Sequence, residues 1–185
     1  IGRPVSVAHN ETKQVEFITR HTIPSRIFYI YDGSAWVSPG YSAEPYIQQN
    51  YGMNEIKNVK TFFEFSTGKE TGLDADLPAG RLRIYQNDTD GSAVLIGENQ
   101  IKHTAKGETV TFELGNAFDL VGERKQTNFR QLSKNVIEES HEIRLRNRKE
   151  TQSVEIRVPE RLFRWSNWEI LTSSDSYTKL NSSTI

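Results

Sequence analysis

The sequence predicts a mainly β protein: an antiparallel β-sandwich domain followed by an immunoglobulin-like β-sandwich domain. Apolar residues recur with a period of two along most of the chain, the pattern of half-buried antiparallel strands. Turn signals built on Gly or Asp-Gly separate the alternating runs. No stretch keeps an amphipathic helical period over three turns. The nearest, IQQNYGMNEIKN (47–58), is weakened by Gly52 and its asparagines.

The alternating runs begin with VEFI (15–18) and IFYIY (27–31), followed by VKTFFEFS (59–66). RLRIYQN puts Leu82 and Ile84 on one face, with Arg81, Arg83 and Tyr85 on the other. VTFEL aligns Val110, Phe112 and Leu114. HEIRLRN sets Ile143 and Leu145 against Glu142, Arg144 and Arg146, and VEIRV aligns Val154, Ile156 and Val158. Between them, YDGSA (31–35) and NDTDGS (87–92) read as hairpin turns. AKGE (105–108) places a Gly before the next strand, and NRKETQS (147–153) reads as a polar loop. A boundary is expected near Ala117, giving domains 1–117 and 118–185. The second is short of the roughly 100 residues of a usual immunoglobulin-like domain, so its sheet is expected to be incomplete. An open sheet edge of that kind favours a homodimer. The opening IGRPVSVAHN lacks an initiator Met and reads as strand, as a fragment or processed product would.

The composition is that of a soluble globular protein, with 35% hydrophobic and 25% charged residues. A net charge of -1 gives no driving force for non-specific nucleic-acid binding. No apolar run approaches the roughly 18 residues of a membrane span. The absence of Cys removes disulfides, thiolate catalysis and Cys-ligated zinc.

LPAGRLRIYQNDTDGSAVLIGENQIKHTAKGETVTFELGNAFDLVGERKQTNF (77–129) resembles a mainly bacterial family, domain of unknown function 4139. That family forms the C-terminal part of mucoidy-inhibitor-A-like proteins. SHEIRLRNRKE (140–150) and a late Trp-Glu-Ile at 168–170 extend the resemblance, which is best from Leu77 to Leu171. It implies β-sandwich character and an exported protein, hence a periplasmic or extracellular one. It implies no established activity. In the family the last segment continues into two further strands, which this chain stops short of.

Chemical motifs are few. In GERKQTNF (122–129), Arg124 and Lys125 with backbone amides are candidates for binding an anion. The favoured reading is a connector, with Gly122 at a turn and Glu123 and Arg124 as paired surface charges. His9, His21, His103 and His141 lie too far apart in sequence for a local metal-ligand pair. His141, with Glu138, Glu139 and Glu142 around it, is a candidate acid–base centre, or simply a solvated strand start. Asp74/Asp76 and Asp88/Asp90 are paired carboxylates in turn-like text. The basic row Arg144, Arg146, Arg148 and Lys149 is expected to pair with Glu142, Glu150 and Glu155. No nucleophile elbow or phosphate-binding glycine loop is present.

Tyr29, Tyr31, Trp36, Tyr41, Tyr46 and Tyr51 crowd one region, as core packing or as a stacking platform for sugars or peptides. These observations favour a non-catalytic binding or structural module with a protein or glycan partner and no cofactor. Its expected site residues are Trp36, Tyr41, Tyr46, Tyr51, Arg124 and Lys125. The alternatives are a hydrolase with an acid–base site assembled from several strands, and a carbohydrate-binding module.

Overall fold

Period-two alternation produces strands over much of the chain up to Arg157. The structure is a computed structural model, and it describes residues 6–14, 18, 22–35, 37 and 43–185. Its strands are β1 (Ser25–Ile30), β2 (Asn58–Ser66), β3 (Gly80–Asn87), β4 (Ala93–Ile101), β5 (Thr109–Ser133), β6 (Val136–Asn147) and β7 (Ile156–Arg157). The described residues contain no helix, and none long and apolar enough to cross a membrane. One sheet has the order β6-β5-β2-β1-β7, and β3 and β4 form a second. The candidate strand at 15–18 lies outside the described residues except for Ile18.

By packing, the chain divides into Ile1–Arg26 with Glu64–Phe112, and Ile27–Phe63 with Glu113–Ile185. Residue 117, the boundary expected from the sequence, falls inside β5. The strand runs on through it: Ala117 packs against the core while Phe118 is exposed, and at Leu120 and Gly122 the even residues are the buried ones.

In the first unit the NDTDGS turn closes the β3–β4 hairpin, with Gly80 opposite Ile101 and Asn87 opposite Ala93. Gly91 sits at φ 83°, which a side-chain-bearing residue rarely adopts. Asp88 N–H donates to the Ser92 carbonyl at 2.8 Å. Leu73, Val110 and Phe112 are buried. The buried Thr67 hydroxyl donates to the carbonyls of Ala105 and Glu108.

In the second unit Tyr31, Val59 and Leu120 form the core. Tyr29, Ile56, Ala117, Ile143, Val154, Ile156 and Val158 pack against it. The YDGSA segment turns the chain, and among the described residues no hairpin follows it: the next described strand begins at Asn58. Asp-Gly fixes a local turn; a hairpin also needs an alternating run directly after it. Here β1 instead pairs in parallel with β7, Tyr29 opposite Ile156. Of VEIRV only Ile156 and Arg157 join the ladder. The β5–β6 hairpin closes on the two-residue turn Lys134-Asn135, between the paired Ser133 and Val136.

Candidate functional site

The stretch read as a connector is the middle of β5, and alternation sorts its side chains between two faces. Leu120, Gly122, Arg124 and Gln126 share the inner face. The ladder sets Arg124 opposite Ile143 and Gln126 opposite His141. A register shift between Gln126 and Asn128 then brings Phe129 opposite Glu139. Gly122 is no turn residue: a Cβ there would overlap the ring of Tyr31. A strand-interior glycine marks such a close approach.

The centre of this face is Arg164, 8% exposed. Its Nη2 donates to Glu139 Oε2 at 2.8 Å and to the Gln49 carbonyl at 3.0 Å. Nη1 donates to the carbonyls of Tyr46 and Gln48. Nε donates to the Glu139 carboxylate at 3.2 Å. The five donors of the guanidinium fork are thereby all used. The Arg164 carbonyl in turn accepts from Tyr46 N–H at 2.9 Å. The rings of Phe129, Phe163 and Tyr51 lie 5.3, 5.7 and 5.9 Å from the guanidinium carbon, within cation–π range. One side chain thus fastens segment 46–49 to β6.

Glu139 is the shared acceptor. Burial pushes its carboxyl up, but the adjacent His141 and Arg164 outweigh that and hold it at about 2. Gln126 also donates to Glu139 at 3.0 Å and to the Gln49 carbonyl at 3.2 Å. His141 Nε2 stands 3.3 Å from Glu139 Oε2, ion-pair distance for a protonated ring. Neither ring nitrogen completes a hydrogen bond of good geometry. His141 is therefore no solvated strand start: it lies within β6, with 15% of its side chain exposed.

Two further arginines are treated the same way. Arg124, 3% exposed in its side chain, pairs with Glu160, which accepts from its Nε at 3.0 Å. It is not the surface partner of Glu123, which pairs instead with Arg146. Arg161 pairs with Asp32. Alternation sends Lys125 to the opposite face, exposed and across the ladder from Glu142. Arg124 and Lys125 therefore do not converge on one anion.

Tyr46 and Tyr51 do come together, stacked with centroids 4.3 Å apart, and Tyr51 leans on Phe163 at 5.8 Å. Both tyrosines are half-buried. Trp36, Tyr41 and His21 lie outside the described residues.

The remaining candidates resolve into surface pairing. Arg144 meets Glu142 at 3.0 Å, Lys149 meets Asp119, and Glu155 meets Arg157. Asp74 pairs with Lys106, while Asp76 accepts from its backbone N–H at 2.8 Å. Asp88 and Asp90 accept from the backbone N–H groups of Thr89 and Ser92 inside the hairpin turn. His103 Nδ1 accepts from Ala79 N–H at 3.2 Å. Among the described residues no group of His, Asp or Glu is arranged to hold a metal ion.

Sequence reasoning passed over Arg164, Glu160, Gln126 and Phe163. The available signal was Arg161 and Arg164 set inside the apolar text of VPERLFRW (158–165), where a buried arginine must find acceptors. Comparison with known proteins finds no matching family model, no matching curated protein and no matching solved structure.

Proposed function

We propose that this chain is a non-catalytic binding or structural β-module. One observation carries the reading: Arg164, the most connected polar group of the candidate site, has every donor engaged by the chain itself. Arg124 is similarly committed to Glu160. Such pairs hold an irregular segment on a sheet and leave little charge to recognise a ligand. The proposal extends to the immunoglobulin-like second half that the strand pattern suggests, and to what the family resemblance implies: β-sandwich character in a bacterial protein exported to the periplasm or beyond.

The hydrolase alternative is favoured by the 3.3 Å approach of His141 to Glu139. Against it, a carboxyl held at about 2 and bound to Arg164 is a weak base. Native protein and a Glu139→Gln variant would be assayed against chromogenic glycoside, ester and peptide substrates. No turnover by either is expected. Turnover by the native chain that disappears in Glu139→Gln would overturn the reading in favour of the hydrolase.

The glycan alternative rests on the Tyr46–Tyr51 stack. A thermal-shift panel of oligosaccharides and cell-wall fragments tests it, because a ligand of the native state raises the melting temperature. A sugar-dependent rise lost in Tyr51→Ala would establish glycan binding.

A further inference from the structure

β6 ends the five-stranded sheet. Its ladder partner is β5, and among the described residues no backbone hydrogen bond joins its other edge to another segment. A strand left so is a template for another strand. What that strand would be is written in the charge order of β6. On its outer face the order is Glu138, Ser140, Glu142, Arg144 and Arg146, acidic at the start and basic at the end. Arg148 follows just beyond the strand.

We propose that β6 pairs antiparallel with β6 of a second copy of this chain, about a two-fold axis at Ile143. In that register Glu142 faces Arg144 of the second copy, and Arg144 faces Glu142. Ser140 faces Arg146, and Glu138 faces Arg148. Antiparallel pairing reverses one strand, so a sequence acidic in its first half and basic in its second complements itself. A slip by two residues to either side of this register opposes Glu142 to itself or Arg144 to itself, and like charges directly opposite are destabilising. The β5–β6 ladder already uses the same alternation, with Lys125 opposite Glu142 and Glu123 opposite Arg144. A second β6 would add one more row of that pattern. Glu142 and Arg144 pair with each other at 3.0 Å within the strand, and their side chains remain 43% and 62% exposed, open to a facing strand. Charges usually protect a sheet edge from other strands; in this order they admit a copy of themselves in one register. The inference goes beyond the module reading and does not depend on the Arg164 site.

The test is the mass of the full chain by sedimentation over a concentration series. The native chain is expected to dimerise. E142R and R144E, each alone, place two like-charged pairs in a symmetric dimer and should weaken it by about tenfold or more. An equimolar mixture of E142R and R144E restores opposite charges at both positions, so dimer should return only on mixing. The double variant E142R/R144E keeps the pairing within the strand and should dimerise alone. Because it also sets like charges against Lys125 and Glu123 across the β5–β6 ladder, circular dichroism of every variant controls for misfolding. A native chain monomeric at the highest concentration would overturn the proposal, as would a mixture no more dimeric than its components.

Discussion

The ring of Tyr31 lies so closely over Gly122 that a Cβ at residue 122 would occupy the ring's own space. Tyr31 is fully buried, and its hydroxyl donates to the Ile56 carbonyl at 2.8 Å. It therefore has no easy way to move aside. Gly122→Ala is expected to destabilise the protein by about 1–3 kcal/mol, the usual cost of overpacking a core. Urea unfolding measures it. The loss should be smaller in a Tyr31→Ala background, because the clash is then gone; equal losses in both backgrounds would disprove the coupling.

Arg164→Met removes the group that satisfies Glu139 and three backbone carbonyls. Forming a buried ion pair gains little, since desolvation offsets the attraction, but breaking one leaves a buried charge alone. A loss of about 3 kcal/mol is expected. Segment 46–49 should also lose its anchor, seen as faster amide hydrogen exchange there than in β5. A variant as stable as the native chain would show that Arg164 does not hold this segment.

Glu139 makes the protein acid-sensitive in a defined window. Its carboxyl sits at about 2 in the folded chain, below its ordinary 4.5. Its contribution is present above about 4.5 and disappears as the pH falls towards 2, because the unfolded chain takes up the proton first. The amount is on the order of 3 kcal/mol. Urea midpoints between pH 5 and 2.5 should fall more steeply for the native chain than for Glu139→Gln. Parallel slopes would remove Glu139 as the cause.

Tyr31 acts at the other end of the scale. Burial pushes its hydroxyl from 10 up to about 12, with Arg124 opposing and Glu160 reinforcing the rise. The neutral phenol is thus favoured in the folded state. Its contribution is complete below pH 10 and is lost as the pH rises towards 12. Tyr31→Phe should be less stable at neutral pH, having lost the bond to Ile56, yet should lose less on going from pH 9 to 11. Absorbance titration of the phenolates follows the same group directly.

Phe118 is 97% exposed although it lies within β5. Phe118→Thr keeps a strand-forming residue and removes no buried surface. Its urea midpoint should match the native chain's to within about 0.5 kcal/mol. A larger loss would mean that the ring is covered in solution.

The β character, the NDTDGS hairpin and the Arg144–Glu142 pair were legible because each depends on neighbours in sequence. Arg146 and Lys149 instead pair with Glu123 and Asp119, which the expected pairing did not include. Alternation between buried and exposed positions is a local rule, and so is the geometry of an Asp-Gly turn. The role of Gly122 was not legible. A glycine at a turn and a glycine under an aromatic ring read alike until the partner ring, from β1's end, is known. The Arg164 cluster was hidden for a related reason. Its acceptors come from residues 46–49 and Glu139, distant in the chain, and only folding brings them within hydrogen-bond reach. Trp36 and Tyr41, expected beside Tyr46 and Tyr51, lie outside the described residues. The sequence by itself determined which residues alternate and where the chain turns. Tertiary structure alone decided which charges meet, because burying an arginine is tolerable only where distant acceptors converge on it.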